Sequence, residues 1–418
     1  MIASSVIGPT ILKDRIHFLD ILRGISILFI FIANSVYFSG FFDQSQETLQ
    51  SFATYPLDLF VDFTAFTLID GKFYSIFSLL FGIGFSIQYL KYSNKKKSFP
   101  AFFSRRMAGL LLFGLIHLYF FSGDILTLYA LLGFVLILFR NCSNPQLLLF
   151  AVILLFLAPM NTILMNISGT FYPYYFFEKF GDFWVHMNLP VQGDHFDFEK
   201  DIPYHHTTTN LKDFLTISLG NPLNRLGALL LEGRPFKVLG IFLLGTWVGR
   251  KILQDRLLVN SKFLKSVAFW GLIIGLPMNI LRTCITFEYL EIASARIIES
   301  VCYTLGVVPL ACAYAALFAL WHLHNKRVLH KFSAVGRMAL TNYIAQTFIA
   351  IVFFFNIGLG LHGKWGMTVT FSIVIVIFYL QILWSNWWLK RFKFGPLEWL
   401  WRQLNYGQRI INSRTLTT

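Results

Sequence analysis

The chain alternates between long apolar runs and short polar connections. Runs of about 20 mostly apolar residues are what a bilayer-crossing helix requires. Ten fit: Ile16–Val36, Lys72–Leu90, Met107–Ser122, Ile125–Phe139, Leu147–Asn166, Val238–Gly249, Ser266–Leu281, Val301–Trp321, Met338–Phe355 and Gly366–Leu389. The third and fourth are short and joined by the turn Ser122-Gly123-Asp124, and the sixth is short enough that its helix could begin earlier. The expected fold is an all-α polytopic membrane protein of about ten spans. No repeat or broken-helix pair of the kind common in transporters is visible.

The runs divide the chain into a first bundle (1–166), a loop or cap (167–237), a second bundle (238–390) and a tail (391–418). Residues 167–237 carry Phe, Tyr and Trp among polar residues and are too aromatic for a disordered linker. They predict interfacial helices or a small cap. In the tail, Gly395-Pro396-Leu397-Glu398-Trp399-Leu400-Trp401-Arg402 reads as a short interfacial helix with Pro396 in its first turn. Glu398 and Arg402 are spaced to pair at i, i+4.

Composition agrees with the pattern. Hydrophobic residues make up 56% of the 418, and charged residues 13%, about half of the roughly 25% of a soluble domain. The formal net charge of +14 would raise nucleic acid as a partner in a soluble protein. Here the basic residues sit between apolar runs, so they read as topology signals and lipid contacts, with no role in nucleic-acid binding. With the N-terminus inside, most of the 35 Lys and Arg fall on inner segments, including Lys95-Lys96-Lys97. Both termini are then cytoplasmic. The first run holds Asp20 and Arg23 with no cleavage signature after it, so it reads as a retained span. Cys142, Cys284, Cys302 and Cys312 form no CxxC pair and read as small apolar residues.

Ionisable groups inside spans are costly and are candidates for function. Three clusters qualify. Asp20 and Arg23 share a face of the first run, with Asn34 further along; they form either a structural ion pair or a polar wall for an anionic substrate. His117 and Asp124 flank the turn at Gly123, seven residues apart, so an imidazole–carboxylate contact is within reach. Such a contact fixes the tautomer of a general base; the plainer reading is a histidine satisfied by a neighbouring carbonyl. Gly336-Arg337-Met338-Ala339-Leu340-Thr341-Asn342-Tyr343 enters the ninth run, with Gln346 beyond. Arg337, Thr341 and Gln346 fall near one face and Asn342 beside it, as in the lining of a polar cavity. Arg337 alone would snorkel to lipid phosphate. Lys72 opens the second run.

Other signals are weaker. Asp194, His195, Asp197, Glu199, Asp201, His205 and His206 follow no strong ligand spacing and read as a solvated loop, so no metal is expected. Gly82 and Gly84 read as permitting close helix packing. No Walker A or Rossmann pattern is present.

Five stretches, in order, resemble the YeiB-like family of bacterial inner-membrane proteins, a family of unknown function. They are Leu19-Asp20-Ile21-Leu22-Arg23-Gly24-Ile25, Lys72 to Gly82, His117 with Gly123-Asp124-Ile125-Leu126, Gly336 to Tyr343, and Gly395 to Arg402. The Asp-x-x-Arg-Gly element, here Asp20, Arg23 and Gly24, together with a membrane histidine, is similar to a wider group of membrane acyltransferases. That resemblance implies acyl transfer from cytoplasmic acyl-CoA to a small-molecule or glycan acceptor across the bilayer. Arg23, Arg106 and Arg337 would meet the CoA phosphates, and His117, oriented by Asp124, would act as general base. Asp20, Asn34, Lys72, Thr341, Asn342 and Gln346 would line the substrate path. The implied setting is the bacterial inner membrane, among lipids, and assembly with further copies of the chain is compatible with it. The competing expectation is a transporter or proton-coupled permease of a small solute.

Overall fold

The computed structural model describes residues 16–93, 98–193, 195–406 and 410–413. Lys95, Lys96, Lys97 and Asp194 lie outside the described residues. Helices dominate, and among the described residues the only extended pairing is one bridge between Phe392 and Ser413.

Helix α1 (His17–Ser39) ends on Gly40, whose positive φ of 66° lets the chain turn away. A short helix α2 (Gln46–Ser51) leads to α3 (Tyr55–Leu68) and α4 (Lys72–Ser93). These two form a nearly continuous apolar helix from Tyr55 to Lys91, interrupted around Gly71, whose φ is +81°. The apolar pattern missed α3 because Asp58 and Asp62 interrupt it. Both are buried, and Asp58 accepts the backbone N–H of Thr368 at 2.8 Å. Then come α5 (Phe99–Phe120), α6 (Leu126–Leu136, extended to Phe139 by a 3-10 turn) and α7 (Asn144–Ser168). Four short helices, here called the cap, follow: α8 (Tyr174–His186), α9 (Phe198–Thr207), α10 (Leu211–Ser218) and α11 (Asn221–Leu231). The second bundle holds α12 (Arg234–Gln254), α13 (Ser261–Thr286), α14 (Ala295–His324), α15 (Lys326–Leu329), α16 (Lys331–Arg337), α17 (Ala339–Phe354) and α18 (Met367–Arg391). The tail forms α19 (Pro396–Tyr406).

Among the described residues, seven helices are long and apolar enough to cross a membrane, and eight if α16 and α17 count as one bent span. Their outward faces are apolar. On α7, Leu149, Val152, Ile153, Phe156, Met160 and Leu164 are all exposed, an apolar surface that only lipid would cover. The chain is a multi-pass membrane protein. Two of the ten expected spans fall outside this set. The segment Leu126–Phe139 is short, at about 1.5 Å per residue, against a core about 30 Å thick. Helix α12 runs Arg234–Gln254, beginning earlier than its apolar run, and carries Arg234, Lys237, Arg250 and Lys251.

The two bundles are packed together rather than strung apart. Helix α4 lies so close to α12 that a Cβ at Gly82 would stand 2.1 Å from the Phe242 carbonyl oxygen. At Gly84 the nearest atom would be 3.9 Å away, so only Gly82 acts as the packing glycine expected of both. Similarly, a Cβ at Gly336 would stand 1.8 Å from Asp20 O and one at Gly24 2.1 Å from Phe332 O, so α16 lies backbone-to-backbone on α1.

The ninth expected span is broken. Helices α16 and α17 meet at 87° across Met338, so the single face expected for Arg337, Thr341 and Gln346 does not exist. The Asn342 amide compensates, donating to the Val335 carbonyl at 3.3 Å and the Met338 carbonyl at 3.0 Å. A broken span survives at membrane depth only where such groups re-satisfy the freed carbonyls.

Candidate functional site

The His117–Asp124 contact is present. His117 Nδ1 stands 2.8 Å from Asp124 Oδ1, and both side chains are fully buried. Local structure builds it. Helix α5 stops at Phe120, and Gly123 and Asp124 turn the chain back into α6. Asp124 then accepts the backbone N–H of Leu126 at 3.0 Å and of Thr127 at 2.7 Å. One carboxylate thus caps α6 and orients the imidazole. Gly114 admits the pairing, since a Cβ there would stand 2.6 Å from Thr127 N. The Asp124 carboxyl oxygens are the acceptors in this turn, so Nδ1 donates to Oδ1 and Nε2 is left to face away from it with its lone pair.

Nε2 is engaged by a residue the sequence did not single out: Thr347 Oγ1 lies 2.8 Å away, on α17. The Tyr343 ring, one turn earlier, sits 4.9 Å from the imidazole, and its hydroxyl is in reach of the Asn34 side chain. Asn34 therefore joins this site.

The cap adds a cation. Asn221 donates to the Tyr119 carbonyl at 2.9 Å, tying α11 to the end of α5. One turn on, Arg225 is buried, and its Nε and Nη2 have no hydrogen-bond partner among the described residues. Burial pulls its pKa down to about 10, and Arg234 adds to the fall; Glu232, Asp124 and Tyr343 act against it. Arg225 is therefore cationic at neutral pH, beside the carboxylate that holds His117. A buried guanidinium with unmet N–H groups is costly unless an anion or water meets it.

Arg225 also links the His117 site to a second polar cluster. Arg282 donates to Glu299 at 2.7 Å and to Asp70 at 2.8 Å. Lys237 lies 3.6 Å over the Tyr303 ring, and Arg234 pairs with Glu232. Lys72 belongs here: it is fully buried, and its Nζ donates to the Phe66 carbonyl at 3.1 Å. The cluster's side chains come from α4, α12, α13, α14 and two connecting loops, so spacing along the chain gave little sign of it.

The remaining candidates lie away from His117, around α16, α18 and α19. Arg23 pairs with Asp20 at 2.9 Å. The Arg106 guanidinium stacks 4.3 Å from the Trp401 ring, whose Nε1 donates to the Arg106 carbonyl at 3.0 Å. Arg337 donates to the Lys393 carbonyl at 3.4 Å. Thr341 is held by Glu398, which accepts its Oγ1–H at 2.6 Å and its N–H at 3.0 Å. Glu398 thus turns to α17, and Arg402 lies over the Phe394 ring at 4.4 Å. Asn342 meets Ser385 at 3.0 Å and Gln346 meets Gln381 at 2.9 Å, joining α17 to α18.

The acidic and histidine-bearing loop differs from the solvated stretch expected. Asp201, His205 and His206 are buried. Asp201 takes the backbone N–H groups of Gln192 and Asp197, both at 2.7 Å, and His205 meets Ser218 at 3.2 Å. The compact cap supplies partners that the local sequence does not show.

A family profile described as "Protein of unknown function (DUF418)" matches residues 248–408. A Bacillus subtilis (strain 168) protein described as uncharacterized protein YxaH is 32% identical, covering 96% of this chain and 97% of its own length. The Escherichia coli (strain K12) protein described as uncharacterized protein YeiB is 28% identical over 80% of this chain and 81% of its own length. A Bacillus acidopullulyticus protein described as an uncharacterized 39.9 kDa protein in the amylase 3' region is 26% identical over 96% of this chain and 97% of its own. No solved structure matches. With its DUF418 match, the chain belongs to the YeiB-like family.

Proposed function

We propose that this protein is a membrane acyltransferase that moves an acyl group from cytoplasmic acyl-CoA to a hydroxyl acceptor on the other side of the bilayer. The observation that carries the reading is the buried His117–Asp124 pair, with the second imidazole nitrogen on a hydroxyl. The acceptor hydroxyl takes the place that Thr347 Oγ1 holds. Its oxygen attacks the thioester carbonyl while His117 Nε2 removes its proton, and Asp124 stabilises the imidazolium. The tetrahedral oxyanion then collapses, the C–S bond breaks, and the imidazolium returns the proton to the departing thiolate. Arg225 is the nearest unmet cation for an anionic group of the acceptor or for the oxyanion. Arg23, Arg106 and Arg337 serve the CoA phosphates.

The topology that suits this reaction has ten spans, with Leu126–Phe139 and α12 completing the set, and both termini cytoplasmic. The membrane is the bacterial inner membrane. The acceptor is a small molecule or glycan.

The 87° break between α16 and α17 favours a second reading, a solute transporter, because discontinuous helices often frame transport sites. Equilibrium binding separates the two. Detergent-purified protein incubated with labelled acetyl-CoA and longer acyl-CoAs retains the nucleotide if the first reading holds. No retention of any acyl-CoA overturns it and leaves transport ahead.

A further inference from the structure

We propose that Asp43, His206 and His362 form a binding site for a transition-metal dication of the zinc class, on the cap side of the membrane domain. The three come from the α1–α2 loop, α9 and the α17–α18 loop, and their ligand atoms all lie within 4.8 Å of one another. His362 Nε2 stands 3.0 Å from Asp43 Oδ2, and His206 Nδ1 stands 3.5 Å from the same oxygen. With metal–ligand distances of about 2.0–2.1 Å, a tetrahedral shell has edges of about 3.4 Å, close to both separations.

Hydrogen-bond accounting points the same way. His362 Nδ1 lies 3.0 Å from the Phe38 carbonyl oxygen, which can only accept, so Nδ1 carries a proton. That leaves Nε2, 3.0 Å from Asp43 Oδ2, as the ring nitrogen facing the site. A backbone carbonyl on the far nitrogen is how metal-binding histidines are commonly oriented. His206 is buried, and neither of its ring nitrogens has a hydrogen-bond partner among the described residues. Its Nδ1 at 3.5 Å is at the limit of any useful bond. Two imidazole nitrogens and a carboxylate oxygen converge within 4.8 Å of one another, and one dication would engage all three.

The fold holds the geometry. A Cβ at Gly40 would stand 2.2 Å from His362 Nε2, and the Gly363 N–H donates to the Ser39 carbonyl at 2.7 Å. Two imidazoles and one carboxylate suit zinc and its neighbours rather than magnesium or calcium, which prefer oxygen. Asp43 is about a third exposed while both histidines are buried, so an ion enters past the carboxylate and keeps a position open to solvent. The ion fastens cap helix α9 to two loops of the membrane domain. It lies close to the His117 site: the Tyr37 ring contacts His206 at 4.8 Å and Phe121 at 5.3 Å, and Phe121 contacts His117 at 5.7 Å.

The test is metal content. Full-length protein in detergent is stripped with chelator, equilibrated with Zn2+, separated from free ion and assayed by plasma mass spectrometry. The expected result is one zinc per chain, a Tm raised by Zn2+ and unaffected by Mg2+, and affinity weakened by about tenfold or more in Asp43→Asn and His206→Gln. His205→Gln keeps the ion. Substoichiometric zinc in the wild type at saturating Zn2+ overturns the proposal. So does wild-type zinc affinity in Asp43→Asn or His206→Gln protein whose circular dichroism matches the wild type.

Discussion

At the scale of single residues, His117 is held from both sides, and its two partners were unequally legible. Asp124 lies seven residues away across a turn marked by Gly123, so the sequence brought it into reach. Thr347 lies 230 positions away on another helix, and no local pattern announces it. The two partners also make different predictions. Asp124→Ala removes both the imidazole's partner and the α6 cap. Acyl transfer then falls by roughly 10²–10⁴-fold, and unfolding in detergent loses about 1 kcal/mol from the cap. Thr347→Val removes only the hydroxyl that occupies Nε2, so transfer survives it. A transfer assay on the two purified variants separates a working base from a histidine that only packs.

Arg225 makes the opposite kind of prediction. Its cation is buried without hydrogen bonds on Nε and Nη2, a cost justified only by a ligand. Replacing it with Met raises the unfolding free energy of the empty protein by about 1–4 kcal/mol and weakens the acceptor, read as a higher KM at unchanged expression. Thermal unfolding and steady-state kinetics on one preparation check both. The sequence hid Arg225 because it sits in a cap helix, outside every apolar run, where an arginine draws no notice.

At the scale of elements, apolar periodicity found the long helices but misplaced their ends and missed their breaks. Helix α3 escaped because Asp58 and Asp62 interrupt its apolar run. The bend at Met338 escaped because hydropathy continues straight across it. The close approaches depend on particular glycines. Gly336→Ala would set a Cβ 1.8 Å from Asp20 O, forcing α16 off α1; Gly84→Ala makes only an ordinary contact with the Gln88 side chain, at 3.9 Å. The first is expected to lower stability by about 1–3 kcal/mol and the second to leave it nearly unchanged. Parallel thermal unfolding of the two variants tests whether the α1–α16 contact is as close as described.

At the scale of the whole molecule, the chain reads as an apolar shell with polar groups at two levels. Arginines gather near α16 and α19, His117 and Asp124 sit at the α5–α6 turn, and Arg225 approaches Asp124 from the cap. The arrangement fits a donor arriving at one face and an acceptor at the other. The apolar pattern made the membrane setting visible, and five motif stretches carried the resemblance to the family. The apolar pattern did not show the charged cluster around Arg282, because Asp70 joins Arg282 and Glu299 only once the turn before α4 packs against α13 and α14.

The most direct test of acyl transfer is to incubate purified protein with labelled acyl-CoA and envelope extract, and to follow label appearing in the acceptor fraction. The account predicts time-dependent incorporation by the wild type and its loss in His117→Ala, with acyl-CoA binding retained. Equal incorporation by wild type and His117→Ala, or none by either while acyl-CoA is bound, would contradict it.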